Sequence, residues 1–566
     1  MDQVAHKPEP VASDNAPVVS QNSTPFIVAY IAFVALLVAA FKFPPLLDYP
    51  NHYARIWLLS GGISEQPFPQ IYSIDWNRTF TNVGIDLLAY WIGPIVGPSL
   101  LARSLLFLAI ILPPLGAIAL HRRLFGHAFY WQIAILYLSW CSTMVGGFLN
   151  FQIGLGLALL LACVDERLQA GNPFVLFAWR MFVSLLLTVT HIFSLGFYIA
   201  LVCGLEFSWS FAIVRSGRAL ARLAVRLAAV FTACALPAVA LFLNTSHLPG
   251  VEGAGLQAIW NDSVPALFIN IISAISTYAP TVDLSFITVA TIVIVFARVG
   301  ASQSGKQGIH AGLAISASGL LILACISPLH ALGTGWISWR FPIMAALVAA
   351  VMMCPFAVLN RRQAMWLLVA LGIVVFGRTG WIGFNWWHGQ KDVAAIESVI
   401  ASVPPGSAIM PLKREPDPAH MPRNSRYYFW QEDTFRHLPT LAVPLSHAFV
   451  PTVFTAIGKQ PLRVLPPWSE ISVPEGNLLS LSVLICPAVM ARDMAYTPYL
   501  RDWRNRFDFV LVVNTDTPDR YIGDVVPAGL KLVNDGGFAK LYAIDKNPPA
   551  GEPVPAGCPA SLTGAE

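Results

Sequence analysis

The stretch "FPPLLDYPNHYARIWLL" (residues 43–59) follows directly on the first long apolar run of the chain, "PFIVAYIAFVALLVAAF" (25–41), and sets three ionisable residues where that run ends. Asp48, His52 and Arg55 are spaced i, i+4, i+7, so a helix beginning near Pro50 places them along one face. Proline suits a first helical turn, and Asp48 lies where a helix N-terminus carries partial positive charge. Two readings fit. Either Asp48 is the N-cap of an interfacial helix and Arg55 snorkels at headgroup level, or the three side chains face a single site.

The apolar run before this stretch is the first of many. Runs of about 17–22 apolar residues recur along the chain and match the length a membrane-spanning helix needs. Of 566 residues, 56% are hydrophobic and 12% charged, and mean hydropathy is +0.61. That composition excludes a soluble globular protein. The formal net charge is +4 and the basic residues sit mostly in short loops, so nucleic-acid binding has no support. Residues 1–24 are polar, Pro-rich and aperiodic, and read as a disordered cytoplasmic leader without a cleavage signal; the first helix is then a retained anchor.

Orientation follows from Lys and Arg, which accumulate in cytoplasmic loops. The clusters "HRRLFGH" (121–127), "RSGRALARLAVR" (215–226), "NRRQ" (360–363) and the weaker "RVGASQSGK" (298–306) all fall inside under one threading. Helix one runs outward, residues 44–98 form a long first outer loop, and "LLARSLLFLAIILPPLGAIAL" (100–120) returns the chain inward. That threading requires "VGIDLLAYWIGPIVG" (83–97) to lie in the outer interface instead of crossing. Further spans near 128–147, 151–165, 173–190, 192–214, 227–243, 281–298, 309–327, 341–358 and 364–383 give about eleven crossings. The expected fold is therefore a polytopic α-helical membrane domain over 25–384 with the C-terminus outside.

From 385 to 566 the composition turns polar and Pro-rich, and an extracytoplasmic soluble α/β domain is expected. "IESVIASV" (396–403) and "YLRDWRNR" (499–506) read as helices, and "GSAIMPL" (406–412), "LSVLICP" (481–487), "FDFVLVVN" (507–514) and "FAKLYAID" (538–545) as buried strands. "SHAFVPTVFTAIGKQPL" (446–462), with His447, reads as a core segment or as a loop facing the membrane. Six of the eight cysteines lie in expected spans; Cys486 and Cys558 share the outer domain, where a disulfide is open to them.

Polar residues gather on the outer side. The first loop adds Asp75, Arg78 and Asp86, and later outer helix ends carry Asn150 in "GGFLNFQIG", His191 in "TVTHIFSLG", and His330 and Arg340 in "SPLHALGTGWISWRFP". Ionisable groups near membrane depth are costly and generally face a cavity. Taken together they mark one outward polar cavity, lined by His52, Arg55, Asp75, Arg78, Asp86, Asn150, His191, His330 and Arg340 around Asp48. A carboxylate that accepts a hydroxyl proton, beside arginines that steady a phosphate leaving group, matches glycosyl transfer from a lipid-linked phosphosugar.

With "DYPNHYAR", "GFLNFQIGLGL", the basic "RRLFG" and a terminal outer domain in this order, the chain resembles membrane glycosyltransferases of the GT-C fold, in a bacterial subgroup. The resemblance spans roughly residues 25–385. It implies a polyprenyl-phosphate sugar donor, a lipid, glycan or protein acceptor, and a site on the periplasmic face of the inner membrane. It also implies Asp48 as catalytic base, Arg340 as a phosphate contact, and His52 and Arg55 shaping the sugar site. The chain lacks Asp-x-Asp, "WWDYG" and "KPP" motifs, so no metal ligands are assigned and a divalent cation stays open. A transporter or flippase of lipid-linked saccharide, a glycan polymerase or ligase, and a non-catalytic assembly subunit are the alternative readings.

Overall fold

The computed structural model describes residues 23–125, 130–213, 217–245, 258–260, 263–299, 308–331, 334–354, 361–416, 425–429, 432–494 and 497–547. The leader up to residue 22 and Cys558 lie outside the described residues; Cys486 is disulfide-bonded. Among the described residues six helices are long and apolar enough to cross a membrane: Pro98–Phe125, Leu149–Leu168, Pro173–Thr190, Ile192–Ser210, Ala219–Asn244 and Arg362–Ile400. Thr24–Ala40, Pro280–Phe296, Ala311–Ile326 and Arg340–Met352 are shorter apolar helices of the same layer. The chain is an integral membrane protein. Close helix contact is made possible by small residues: a Cβ on Gly156 would stand 2.4 Å from Cβ of Leu112, so only glycine lets Leu149–Leu168 lie against Pro98–Phe125 here.

One expected span is corrected. The run at 128–147 is not a continuous helix: Trp131–Ile135 passes into a 3₁₀ turn, Leu136–Ser139, then extended backbone at Trp140 and Cys141, then the short helix Ser142–Val145. Broken backbone at membrane depth needs partners for its freed carbonyls. Arg378 supplies them, donating Nη1 to Tyr137 O at 2.6 Å and Nη2 to Trp140 O at 3.1 Å, while its Nε holds Asp283 at 2.9 Å. A second buried network ties four helices together: Arg180 binds Asp165 and Glu206, Arg226 binds Glu206, and Tyr198 donates to Asp165. Each charge there has a countercharge.

The segment 83–97 forms two short helices, Gly84–Trp91 and Gly93–Val96. Eight residues rise about 12 Å, against roughly 30 Å of hydrocarbon, so this segment does not cross. Trp91 and Ile95 stay 69% and 82% exposed, as suits an interfacial helix.

Beyond the bundle the Arg361–Ile400 helix continues unbroken through residue 385. Its 40 residues rise about 60 Å, so one rod carries the chain from the helical layer into the C-terminal region. There a five-stranded mixed sheet has the order Leu530–Asp535, Ala539–Ile544, Phe509–Val513, Ile409–Lys413, Leu479–Ser480. The middle pair, Ile409–Lys413 with Phe509–Val513, is parallel, and the apolar run of Phe509–Val513 reflects its central place. The strand read at 481–487 is a 3₁₀ turn, Leu481–Leu484, after a two-residue strand, and the helix read at 499–506 is a 3₁₀ turn followed by the single turn Trp503–Arg506.

The long loop after the first helix, residues 44–98, and the C-terminal region are sewn together. Tyr72–Ile74 pairs antiparallel with Leu462–Val464, Asn51 binds the backbone of Thr452 and Phe454, and His447 meets Glu65 at 3.1 Å. Phe449, Val450, Val453 and Leu462 are buried, so the 446–462 segment is core and seam. Both regions therefore lie on one side of the helical layer.

Candidate active site

The helix that opens the loop is Tyr49–Leu59, with Pro50 in its first turn and Asp48 at the N-cap position. Yet the Asp48 side chain caps no backbone N–H, and its own backbone is in the right-handed helical region. Asp48 N donates to Gly146 O at 3.1 Å, and His52 N donates to Asp48 O at 2.9 Å, which fixes the main chain from both sides. Gly147 adopts φ +80°, and a Cβ there would stand 2.9 Å from Asp48 N. Gly147 thus lets a second segment reach the Asp48 backbone.

Freed from capping, the carboxylate is 14% exposed, with Nε2 of His437 3.4 Å from Oδ1. His437 comes from the C-terminal region, is buried, and packs edge-on to Phe454 at 4.8 Å. Burial holds its imidazole below the usual pKa, against the pull of Asp48. His52 is buried one turn along the helix, its ring bonded to the Gly147 backbone; burial, then the Arg55 guanidinium, pushes its pKa down to about 3. Both histidines are neutral near pH 7.

Arg340 starts the Arg340–Met352 helix and is within electrostatic range of Asp48. Nη1 donates to Gly335 O at 2.7 Å, and the guanidinium lies 4.9 Å from the rings of Phe148 and Phe193. Its Nε is buried with no acceptor among the described residues. The His330 ring lies tilted beside Trp336 at 5.8 Å, and Arg436, paired with Glu432 at 2.7 Å, lies 5.8 Å from the same indole. His191 is buried between Phe151 and Phe193 and accepts from Phe193 N through Nδ1.

The structure therefore brings Asp48, His52, His191, His330 and Arg340 into one neighbourhood. It places the other five expected residues in architectural roles. Arg55 grips Asp86 through Nε and Nη2, with both Nη2 contacts at 2.6 Å; the two side chains are 1% and 0% exposed. That pair clamps Tyr49–Leu59 to Gly84–Trp91. Asn150 accepts from Ile85 N at 2.9 Å and donates to Asn82, anchoring the start of the same interfacial helix. Asp75 caps a 3₁₀ turn by accepting from Asn77 N, and Arg78 is buried with its guanidinium on the carbonyls of Thr455 and Leu462. His437, Arg436 and Asn51 are not singled out by the sequence. Among the described residues, no three His, Cys, Asp or Glu side chains converge as a metal site.

A long helical layer, a first loop that carries Asp48 and a C-terminal region folded back on that loop resemble the GT-C fold. One solved structure that shows the likeness is ArnT from Cupriavidus metallidurans, crystallised in the apo state. It matches over 96% of this chain and 98% of its own at 11% identity, with a TM-score of 0.50. At that identity the likeness is one of fold. No known family profile and no curated protein sequence matches the chain.

Proposed function

We propose that the protein is a membrane glycosyltransferase that moves a sugar from a polyprenyl-phosphate donor to a hydroxyl-bearing lipid, glycan or protein acceptor on the periplasmic face of a bacterial inner membrane. The observation that carries this reading is the state of Asp48. It stands at a helix start but does not cap it, keeps solvent access, and lies within electrostatic range of an arginine whose buried Nε has no acceptor among the described residues.

In the proposed reaction the acceptor hydroxyl gives its proton to the Asp48 carboxylate as its oxygen attacks the anomeric carbon. The bond from that carbon to the phosphate oxygen breaks, and its electron pair leaves with the polyprenyl phosphate. Attack opposite the leaving group inverts the anomeric centre. Arg340 balances the charge that develops on the phosphate, in an apolar setting where such compensation is strong. The polyprenyl tail lies among the helices and brings its phosphate to the interface.

The test compares purified wild type with Asp48→Asn on a panel of polyprenyl-phosphate sugars, scoring released polyprenyl phosphate and transferred sugar. Turnover by the wild type alone supports the reading. Equal turnover by both removes Asp48 from the chemistry. Binding of a lipid-linked sugar without turnover moves the transporter and assembly readings ahead.

A further inference from the structure

We infer that His437, with its tautomer set by Asn51, is a positioning residue that holds Asp48 for catalysis, so that the active site is completed by the C-terminal domain. The inference rests on the reading of Asp48 as the base.

It follows from two hydrogen bonds that fix the Asn51 amide and from the contact that this amide makes with His437. Asn51 Oδ1 accepts from the backbone N–H of Phe454 at 2.9 Å, and Asn51 Nδ2 donates to the backbone carbonyl of Thr452 at 2.8 Å. Those two main-chain partners decide which end of the amide is which. The same Nδ2, necessarily a donor, lies 3.4 Å from Nδ1 of His437. Nδ1 must then present its lone pair, and in a neutral imidazole the single proton is on Nε2. Nε2 is the atom that faces Oδ1 of Asp48 at 3.4 Å. A neutral donor therefore points at one carboxylate oxygen and leaves the other for the acceptor hydroxyl.

Both histidine contacts are longer than an ideal hydrogen bond, as is common in catalytic groups before substrate binds. The packing allows little choice of ring orientation. His437 is 2% exposed, Phe454 stands against its ring, and a Cβ on Gly476 would lie 2.7 Å from its Cε1. The charged and titratable groups facing it are Asp48, His52 and Arg436. Of these only Asp48 meets Nε2. A protonated histidine would neutralise the base; the neutral Nε2–H form orients it without taking its charge. His437 neither gives nor takes the proton in the reaction.

The linkage also explains why the loop and the C-terminal domain are sewn together at Asn51. One amide side chain both docks the 452–454 backbone and fixes the proton on the histidine that orients the base. Movement at the seam would misplace Asp48 even with every loop residue in position.

The test uses the full-length protein in nanodiscs, with the polyprenyl-phosphate sugar of the panel that the wild type turns over. His437→Phe keeps the ring packing and removes the donor; kcat should fall roughly ten- to a hundredfold with KM within twofold. His437→Gln places an amide N–H near the position of Nε2 and should recover kcat to within about threefold of wild type. In ¹⁵N-histidine spectra the resonance pair lost in His437→Gln should show a pyrrole-like Nε2 and a pyridine-like Nδ1 at pH 7. A His437→Phe kcat within twofold of wild type overturns the inference, as does a protonated Nδ1. Failure of His437→Gln to recover a protein that still binds polyprenyl phosphate also overturns it. If His437→Phe does not fold, the Gln variant and the spectrum decide. An active Asp48→Asn instead sinks the underlying reading of the base, whereas an inactive Asp48→Asn beside an active His437→Phe sinks this inference alone. If the wild type turns over no donor, the transferase reading fails, and the spectrum still decides the hydrogen bond.

Discussion

Asp48 and Asp86 are acids of the same long loop, each within reach of an arginine, and the fold treats them in opposite ways. Asp86 is fully buried and held on both oxygens by Arg55. Asp48 keeps access to solvent, is approached by a neutral histidine, and shares its neighbourhood with Arg340 without a direct contact. A carboxylate closed in an arginine fork has both oxygens committed to the guanidinium and none directed at a substrate. One held by a neutral donor keeps its charge and a free oxygen. The same contrast separates Arg378 and Arg180, whose guanidinium groups are paired inside the protein, from Arg340, whose Nε has no acceptor among the described residues.

The largest expected effects set these two acids against each other. Asp48→Asn should lower turnover by about 10²–10⁴-fold, the usual worth of a general base, with thermal unfolding unchanged. Asp86→Asn should do the reverse. It leaves Arg55 buried without a countercharge, a loss of about 3–5 kcal/mol, and the yield of monodisperse protein should collapse while the surviving folded fraction stays active. Calorimetry and turnover measured on both variants would break the comparison if either acid showed the other's phenotype.

Next in size is Arg340→Gln. The side chain donates to Gly335 and packs on Phe148 and Phe193 but has no ion-pair partner among the described residues, so its loss orphans no buried countercharge and unfolding should shift by only about 1–2 kcal/mol. Turnover should fall about ten- to a hundredfold, and Arg340→Lys should recover part of it, since an ammonium supplies charge without the guanidinium geometry. Loss of folded protein in Arg340→Gln would move this residue to the architectural side.

How much of this was legible follows from where each partner lies in the chain. Asp48 and Arg340 were found because apolar runs define helix ends, and a charge at such an end stands out. Arg55 carried the same signal and proved structural, because its partner Asp86 is 31 residues away and residue type alone cannot separate a clamp from a ligand. His437 gave no signal. Its bond to Asp48 crosses between the first outer loop and the C-terminal domain, and "QEDTFRHLP" (431–439) has no periodicity that aims it. The break in the 128–147 run had one overlooked sign, the small polar residues of "SWCST" (139–143). Its cause, Arg378 in a later apolar run, is a long-range contact that no local pattern reveals.

A smaller effect tests His52, which belongs to the Asp48 neighbourhood but is as buried as the clamp. Its pKa is held at about 3 in the folded protein against an ordinary value of 6.5. Below pH 6.5 the unfolded chain takes up a proton that the folded form does not, so stability is level above that pH and falls as pH drops from 6.5 towards 3. At pH 5 the loss from this one group is about 2 kcal/mol. His52→Gln should flatten the decline in unfolding temperature between pH 7 and 5. An unchanged decline would mean that His52 is protonated in the folded state.

The smallest effect concerns the seam itself. Arg78→Met removes a guanidinium from the carbonyls of Thr455 and Leu462, a change of about 1.5 kcal/mol. The strand pair Tyr72–Ile74 with Leu462–Val464 should then exchange its amide hydrogens faster, while the helical layer is untouched. Because Asp48 lies on one side of this seam and His437 on the other, looser docking should lower kcat severalfold and leave KM near its wild-type value. An Arg78→Met protein with faster exchange at the strand pair and full kcat would show that the two regions dock for stability alone. The orientation of Asp48 would then have to come from the loop, through Gly146 and Gly147.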